Sequence, residues 1–178
     1  MNEAPFLPYR STNATDDIGA DIKDLFANFH TECTTITTNA RKVFDDAHDQ
    51  LKAKYLPNGV YGATVADYNT YKKEFNKIKN TYCETVDYEC RNALGGNVDA
   101  LEDIYDALSG GKYRDRGTVR FGHGSKYYNS QGAKIDEIVA NYGNLSVTRP
   151  DLIDMLRKDK PELVQALEEM VEEMAKKV

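Results

Sequence analysis

A chain of 178 residues with 40% hydrophobic side chains supports one modest core, or one domain with an extension. Its formal charge of −6 excludes a broadly basic surface, which disfavours nucleic acid as a partner. No apolar run reaches the ~20 residues of a membrane span, and the start lacks a secretory signal pattern. A cytoplasmic protein with no membrane partner is expected.

Residues 1–15 hold two of the five prolines with Ser11, Thr12 and Asn13, and read as an irregular arm. From Asp16 the pattern becomes helical. Ile18, Ile22, Leu25, Phe26, Phe29, Cys33, Ile36, Ala40, Val43, Phe44, Ala47, Leu51 and Tyr55 recur at steps of three and four. The run Thr34-Thr-Ile-Thr-Thr38 is its weak point, because β-branched residues lose rotamer freedom in a helix, and a kink is expected there.

Pro57-Asn-Gly ends that helix, and a second stripe runs Val65, Tyr68, Tyr71, Phe75, Ile78, Tyr82, Val86, Cys90, Leu94 up to Gly95-Gly96. Two long stripes joined by a short turn predict an antiparallel helical hairpin over 16–95, with oligomerisation through it as an option. Its aromatic residues read as core. Three cysteines without a CxxC pair point to free thiols. Cys83 and Cys90, two turns apart on one face, are too distant for a disulfide and read as small core residues.

A small helical domain is expected over 96–178, either separate from the hairpin or fused with it. Its first helix runs from an Asn97 cap through Val98, Leu101, Ile104, Tyr105 and Leu108 to Gly110-Gly111. The following segment is the longest non-helical stretch. Thr118-Val-Arg-Phe121 alternates like a strand, so a short β-hairpin with Lys112-Tyr113, or an irregular loop, is predicted. The basic residues Lys112, Arg114, Arg116 and Arg120 read as its solvated face. Helix resumes near Gln131 with Ile135, Ile138, Val139, Tyr142 and Leu145 inward. Pro150 opens the next helix, and Asp159-Lys-Pro-Glu162 matches a capping box for the last, whose stripe is Leu163, Ala166, Leu167, Met170, Val171 and Met174. The fold class is therefore mainly α.

Three histidines limit the chemistry. His48 sits among Asp45, Asp46 and Asp49 and reads as solvent-exposed. His30 and Cys33 share a helix face and form a weak metal pair, since a structural metal wants four ligands. His123 stands between Gly122 and Gly124, which let the backbone take unusual conformations and other groups approach closely. Tyr127 and Tyr128 follow, with Asp136 and Glu137 on the next helix. His123, Tyr128 and Glu137 are thus the weak catalytic candidates, as an acid–base set. Gly122-His123-Gly124 as a structural loop is the favoured reading. There is no His-x-x-x-His, no phosphate loop and no nucleophile motif.

The order Ile104-Tyr-Asp-Ala-Leu-Ser-Gly-Gly-Lys112, Phe121-Gly-His-Gly-Ser-Lys-Tyr-Tyr128, Glu137-Ile-Val-Ala-Asn141 and Pro150-Asp-Leu-Ile-Asp-Met-Leu156 resembles one family. It is similar to the C-terminal zincin-like domain of minor head (head-morphogenesis) proteins of phages of Gram-positive bacteria, and to related prophage toxins. The resemblance covers residues 97–175. In active relatives an upstream His-Glu-x-x-His helix binds zinc, and a glutamate matching Glu137 supplies the third ligand. Here His30-Thr-Glu-Cys-Thr34 occupies that part of the order without the histidine spacing.

The resemblance therefore implies a degenerate metallopeptidase scaffold. His30, Cys33 and Glu137 are its weak metal candidates, and no cofactor is expected, zinc being the alternative. The expected function is a non-catalytic virion structural or protein-interaction role, with phage head proteins or a host protein as partners. A metal-dependent hydrolase or toxin, and a small regulator of one host protein, are the alternatives.

Overall fold

The computed structural model describes residues 17–129 and 132–176. The expected arm over 1–15 lies outside them. Helix accounts for 82% of the structure, so the chain is mainly α, and among the described residues there is no strand. The helices are α1 (Ala20–Tyr55), α2 (Val65–Asn92), α3 (Val98–Ser109), α4 (Lys112–Asp115), α5 (Ala133–Thr148), α6 (Pro150–Asp159) and α7 (Pro161–Ala175).

The chain divides into two compact units. One takes the residues up to Ala27 with Asn97 onward, and the other is Asn28–Gly96. Helix α1 contributes residues to both. The first two turns or so of α1, which sequence periodicity assigns to a 16–95 hairpin, thus belong with the C-terminal helices.

Within the 28–96 unit, α1 continues through the threonine run without a break. Thr34, Thr35 and Thr37 each donate a hydroxyl to the carbonyl four residues earlier, at 2.7, 3.1 and 2.7 Å. Contacts between α1 and α2 run in opposite chain directions. Cys33 meets Cys90, Phe44 meets Tyr82 and Phe75, and His48 meets Phe75 and Tyr71. His48 is not a free surface residue as expected, because its Nε2 lies 2.8 Å from the Tyr71 hydroxyl inside this aromatic row. Cys90 is buried, but Cys83 is exposed rather than core, since Tyr82 carries the contact to α1 at that level. Helix α2 begins at Thr64, whose hydroxyl accepts from the Asp67 N–H at 3.1 Å.

In the other unit, Ile18, Ile22 and Phe26 are buried, and the Phe26 ring meets Tyr105 of α3 edge-on at 5.6 Å. Helices α3 and α5 pack together, α6 packs on α5, and α7 packs on α6. Leu101, Ile104, Leu145, Leu152, Leu156 and Leu167 form the core. Pro150 and Pro161 open α6 and α7, as first-turn prolines do.

Three local expectations change. Asn97 stands at the start of α3 but does not cap it, and its side-chain amide donates to Thr148 at 3.1 Å. Asp159 does not cap α7. Its carboxylate accepts from the Tyr105 hydroxyl at 2.5 Å and pairs with the buried Lys160 at 3.3 Å. The α7 stripe is buried only at Leu163, Val164 and Leu167, while Val171 and Met174 are exposed.

Candidate functional site

Helix α3 carries two acids within its buried face. Glu102 and Asp106 follow Val98 at four-residue steps, so all three share the helix face that packs inward, and both acids are fully buried. Buried carboxylates need donors. They find them in the segment 114–124. The Glu102 carboxylate accepts from the N–H groups of Arg120 (3.0 Å) and Phe121 (2.9 Å). Asp106 accepts from Arg114 (2.8 Å) on one oxygen, and from His123 and Gly124 (3.0 Å each) on the other.

These bonds explain why Thr118–Phe121 is not a strand. Its last two amides donate to Glu102 of α3 and its first two to the Tyr113 carbonyl, and Lys112-Tyr113, the expected partner, forms part of α4 instead. The alternation of Val119 and Phe121 reflects burial of Val119 in an irregular loop.

Two glycines permit this approach. Gly122 has φ 136°, and a Cβ there would lie 2.6 Å from an Asp106 oxygen. Gly111 has φ 84°, and a Cβ there would meet the Gly124–Ser125 peptide at 2.1 Å. The loop lies directly on α3 and on the turn after it.

Held in this way, His123 projects toward two further acids. Its Nε2 is 3.6 Å from Oδ2 of Asp103 on α3, and 3.4 Å from Oε1 of Glu137 on α5. The histidine ring is 42% exposed, whereas the carboxylates are 16% and 20% exposed, so the site opens to solvent on the histidine side. The His123 ring stacks on Tyr127 with centroids 4.1 Å apart, and Tyr128 stands edge-on to it.

Both tyrosines donate to the same acids. The Tyr127 hydroxyl donates to Oε1 of Glu137 at 2.6 Å, and the Tyr128 hydroxyl to Oδ1 of Asp103 at 3.1 Å. Asn141, one turn beyond Glu137, donates to Oδ2 of Asp103 at 3.1 Å. Burial raises the Asp103 carboxyl above its usual range, opposed by the His123 charge and reinforced by Glu137. Burial beside Asp103 likewise raises the Tyr128 hydroxyl, and the bond to Glu137 raises that of Tyr127. Both phenols therefore act as hydrogen-bond donors at neutral pH.

Of the residues singled out from sequence, His123, Tyr128 and Glu137 come together, with Tyr127 beside them. Asp136 is exposed. His30 and Cys33 belong to the 28–96 unit, where the Cys33 thiol is buried and faces the Cys90 carbonyl at 3.9 Å. Among the described residues, the group of ligand atoms that converges is Asp103, His123 and Glu137, all within 4.8 Å of one another. Asp103 is the member that sequence reading misses. Its signal is faint: it stands one residue past Glu102, at the edge of the buried face. Asn141 is legible only as the residue one helical turn after Glu137.

Chemically, the set can share a proton between an imidazole and two carboxylates, or can present one nitrogen and two oxygens to a cation. Comparison with known proteins adds no relative: no family model, no curated protein and no solved structure matches this chain.

Proposed function

We propose that this is a non-catalytic structural or protein-interaction protein of phage or prophage origin, built on an eroded zincin-like scaffold. The origin rests on the ordered motifs between residues 97 and 175 described above. The observation that carries the non-catalytic reading is the commitment of the site's acids. Glu102 and Asp106 hold the backbone of the loop, and Asp103 and Glu137 accept from tyrosine hydroxyls. Glu102 and Asp106, both fully buried, are taken up by the backbone amides of the loop, so the role of these two acids is to hold it. The Gly122-His123-Gly124 loop is a latch on α3.

The test is particle composition. Phage particles induced from the natural host and purified by density gradient should contain the chain at a fixed ratio to the portal protein. Its absence from particles, with all of it free in the lysate, overturns the reading.

The convergence of Asp103, His123 and Glu137 favours a second reading, a metal-dependent hydrolase with an unusual site. Peptide or ester hydrolysis that requires added zinc and disappears in Glu137→Gln would establish it in place of the first.

A further inference from the structure

We propose that Asp103, His123 and Glu137 form a binding site for one divalent transition-metal cation of the zinc class. The cation would clasp α3, the glycine-flanked loop and α5 to one another. The first argument is distance. Hydrogen bonds from a ring nitrogen to oxygen fall at ~2.7–3.2 Å. The His123 nitrogen lies outside that range from both carboxylates, at 3.4 and 3.6 Å. With metal–nitrogen and metal–oxygen lengths of ~2.0–2.2 Å, the ligand atoms of a tetrahedral zinc site stand ~3.3–3.6 Å apart. The two spacings from His123 match edges of a coordination tetrahedron, and the ligand atoms of all three residues lie within 4.8 Å of one another, close enough to converge on one ion.

The second argument is charge. Two carboxylates and a neutral imidazole carry −2 together, which a divalent cation cancels. Without it, the two acids lie together, 16% and 20% exposed, beside the histidine ring.

The third is support around the ligands. Zinc-binding side chains are normally oriented by hydrogen bonds from behind. Here Tyr128 and Asn141 donate to Asp103, Tyr127 donates to Glu137, and the His123 ring is stacked on Tyr127. The loop position of His123 is itself fixed by the bonds from its own and the next amide to Asp106.

The donor set selects the metal. An imidazole nitrogen among three ligands favours zinc and its neighbours over calcium or magnesium, which take oxygen. Three protein ligands leave one position, reached from the exposed histidine side, for water or a donor from a partner chain. The role is structural, as a clasp, and it does not depend on the virion reading. Zinc binding by the isolated protein stands or falls whatever the particle experiment gives.

The test is equilibrium binding of zinc to the full-length protein after chelation, with cobalt as a spectroscopic substitute. One zinc per chain is expected, with a cobalt absorption of the intensity that marks four-coordination. Asp103→Asn, His123→Gln and Glu137→Gln should each weaken binding at least ~100-fold. Tyr128→Phe and Asn141→Ala, which remove only supporting donors, should weaken it ~10–100-fold. His30→Gln and His48→Gln should leave it unchanged. Circular dichroism of each variant without metal separates loss of a ligand from loss of the fold, and Tyr128→Phe retains the ring if a ligand variant fails to fold. Absence of stoichiometric zinc overturns the proposal. So does zinc binding that persists in all three ligand variants, or preferential binding of calcium.

Discussion

Replacing Asp106 by asparagine keeps the shape of the side chain and changes only what its two terminal atoms can accept. Both atoms now receive backbone N–H groups, one from Arg114, the other from His123 and Gly124. An amide has one acceptor oxygen. Turned toward His123 and Gly124, it sets its NH2 against the Arg114 N–H; turned the other way, it opposes two donors. The gentler orientation leaves one buried donor unsatisfied, at ~1–3 kcal/mol, and weakens two charge-assisted bonds by ~1 kcal/mol each. The expected loss is ~3–5 kcal/mol, with Asp106→Ala larger because no acceptor survives. Urea unfolding measured with chelator present gives the total. Amide hydrogen exchange at His123 and Gly124 shows whether the loop opens first. An Asp106→Asn protein within ~0.5 kcal/mol of wild type, with both amides still protected, would refute the latch.

Gly122→Ala should destabilise the same unit by ~1–3 kcal/mol, from a strained backbone and a Cβ driven against Asp106, read as a lower urea midpoint. Asp103 gives a pH signature. Its carboxyl is raised in the folded state, so the fold holds its proton more tightly, and its contribution falls as pH rises above the unfolded value near ~3.9. In chelator, the stability of wild type minus that of Asp103→Asn should therefore shrink from pH 4 toward neutrality; a constant difference would rule this out. In the 28–96 unit, Phe44→Ala should cost ~3–5 kcal/mol by opening the aromatic row between α1 and α2. Tyr71→Phe, which loses only the bond to His48, should cost ~0.5–1.5 kcal/mol in the same unfolding assay.

Helices were legible from sequence because burial of one face imposes a period on the chain itself. The stripe through Ile22, Phe26, Phe29 and Cys33 in α1, the burial of Cys90 in α2, and the prolines that open α6 and α7 show this. The loop was not legible in that way. Thr118–Phe121 alternates as a strand does, but its first two amides donate to the Tyr113 carbonyl and its last two to Glu102 on α3, and no local period records a side-chain partner so far along the chain. A clue did exist in Val98, Glu102 and Asp106, where acids occupy a row that periodicity assigns to the core. An acid there must have donors, and the glycine-rich loop was the segment with spare amides. Gly122, His123, Tyr128 and Glu137 could be singled out for their residue types. Asp103 and Asn141 could not, because an acid and an amide at helix edges are ordinary until α3 and α5 are packed together. Exposure of Val171 and Met174 was hidden for the opposite reason: a stripe records which face is apolar and not how far along the helix a neighbour extends.

The contact between Gly111 and the Gly124–Ser125 peptide has a consequence for how the chain can vary. Backbone lies against backbone there, with no room for a side chain. Residues 111 and 124 are therefore the neck of a closed loop whose perimeter is fixed by the chain between them. Asp106 and Glu102 tie that perimeter down at 114, 120, 121, 123 and 124, leaving the turn around Arg116 and Gly117 untied by them. Nothing lies within 4 Å of a Cβ built on Gly117. Extra residues inserted there would disturb only the backbone turn in which Gly117 and Thr118 donate to the Arg114 and Tyr113 carbonyls, whereas one residue added or removed between 120 and 124 would pull an amide off its carboxylate. Length can change at the tip at the cost of a turn, and elsewhere only at the cost of the buried acids' donors.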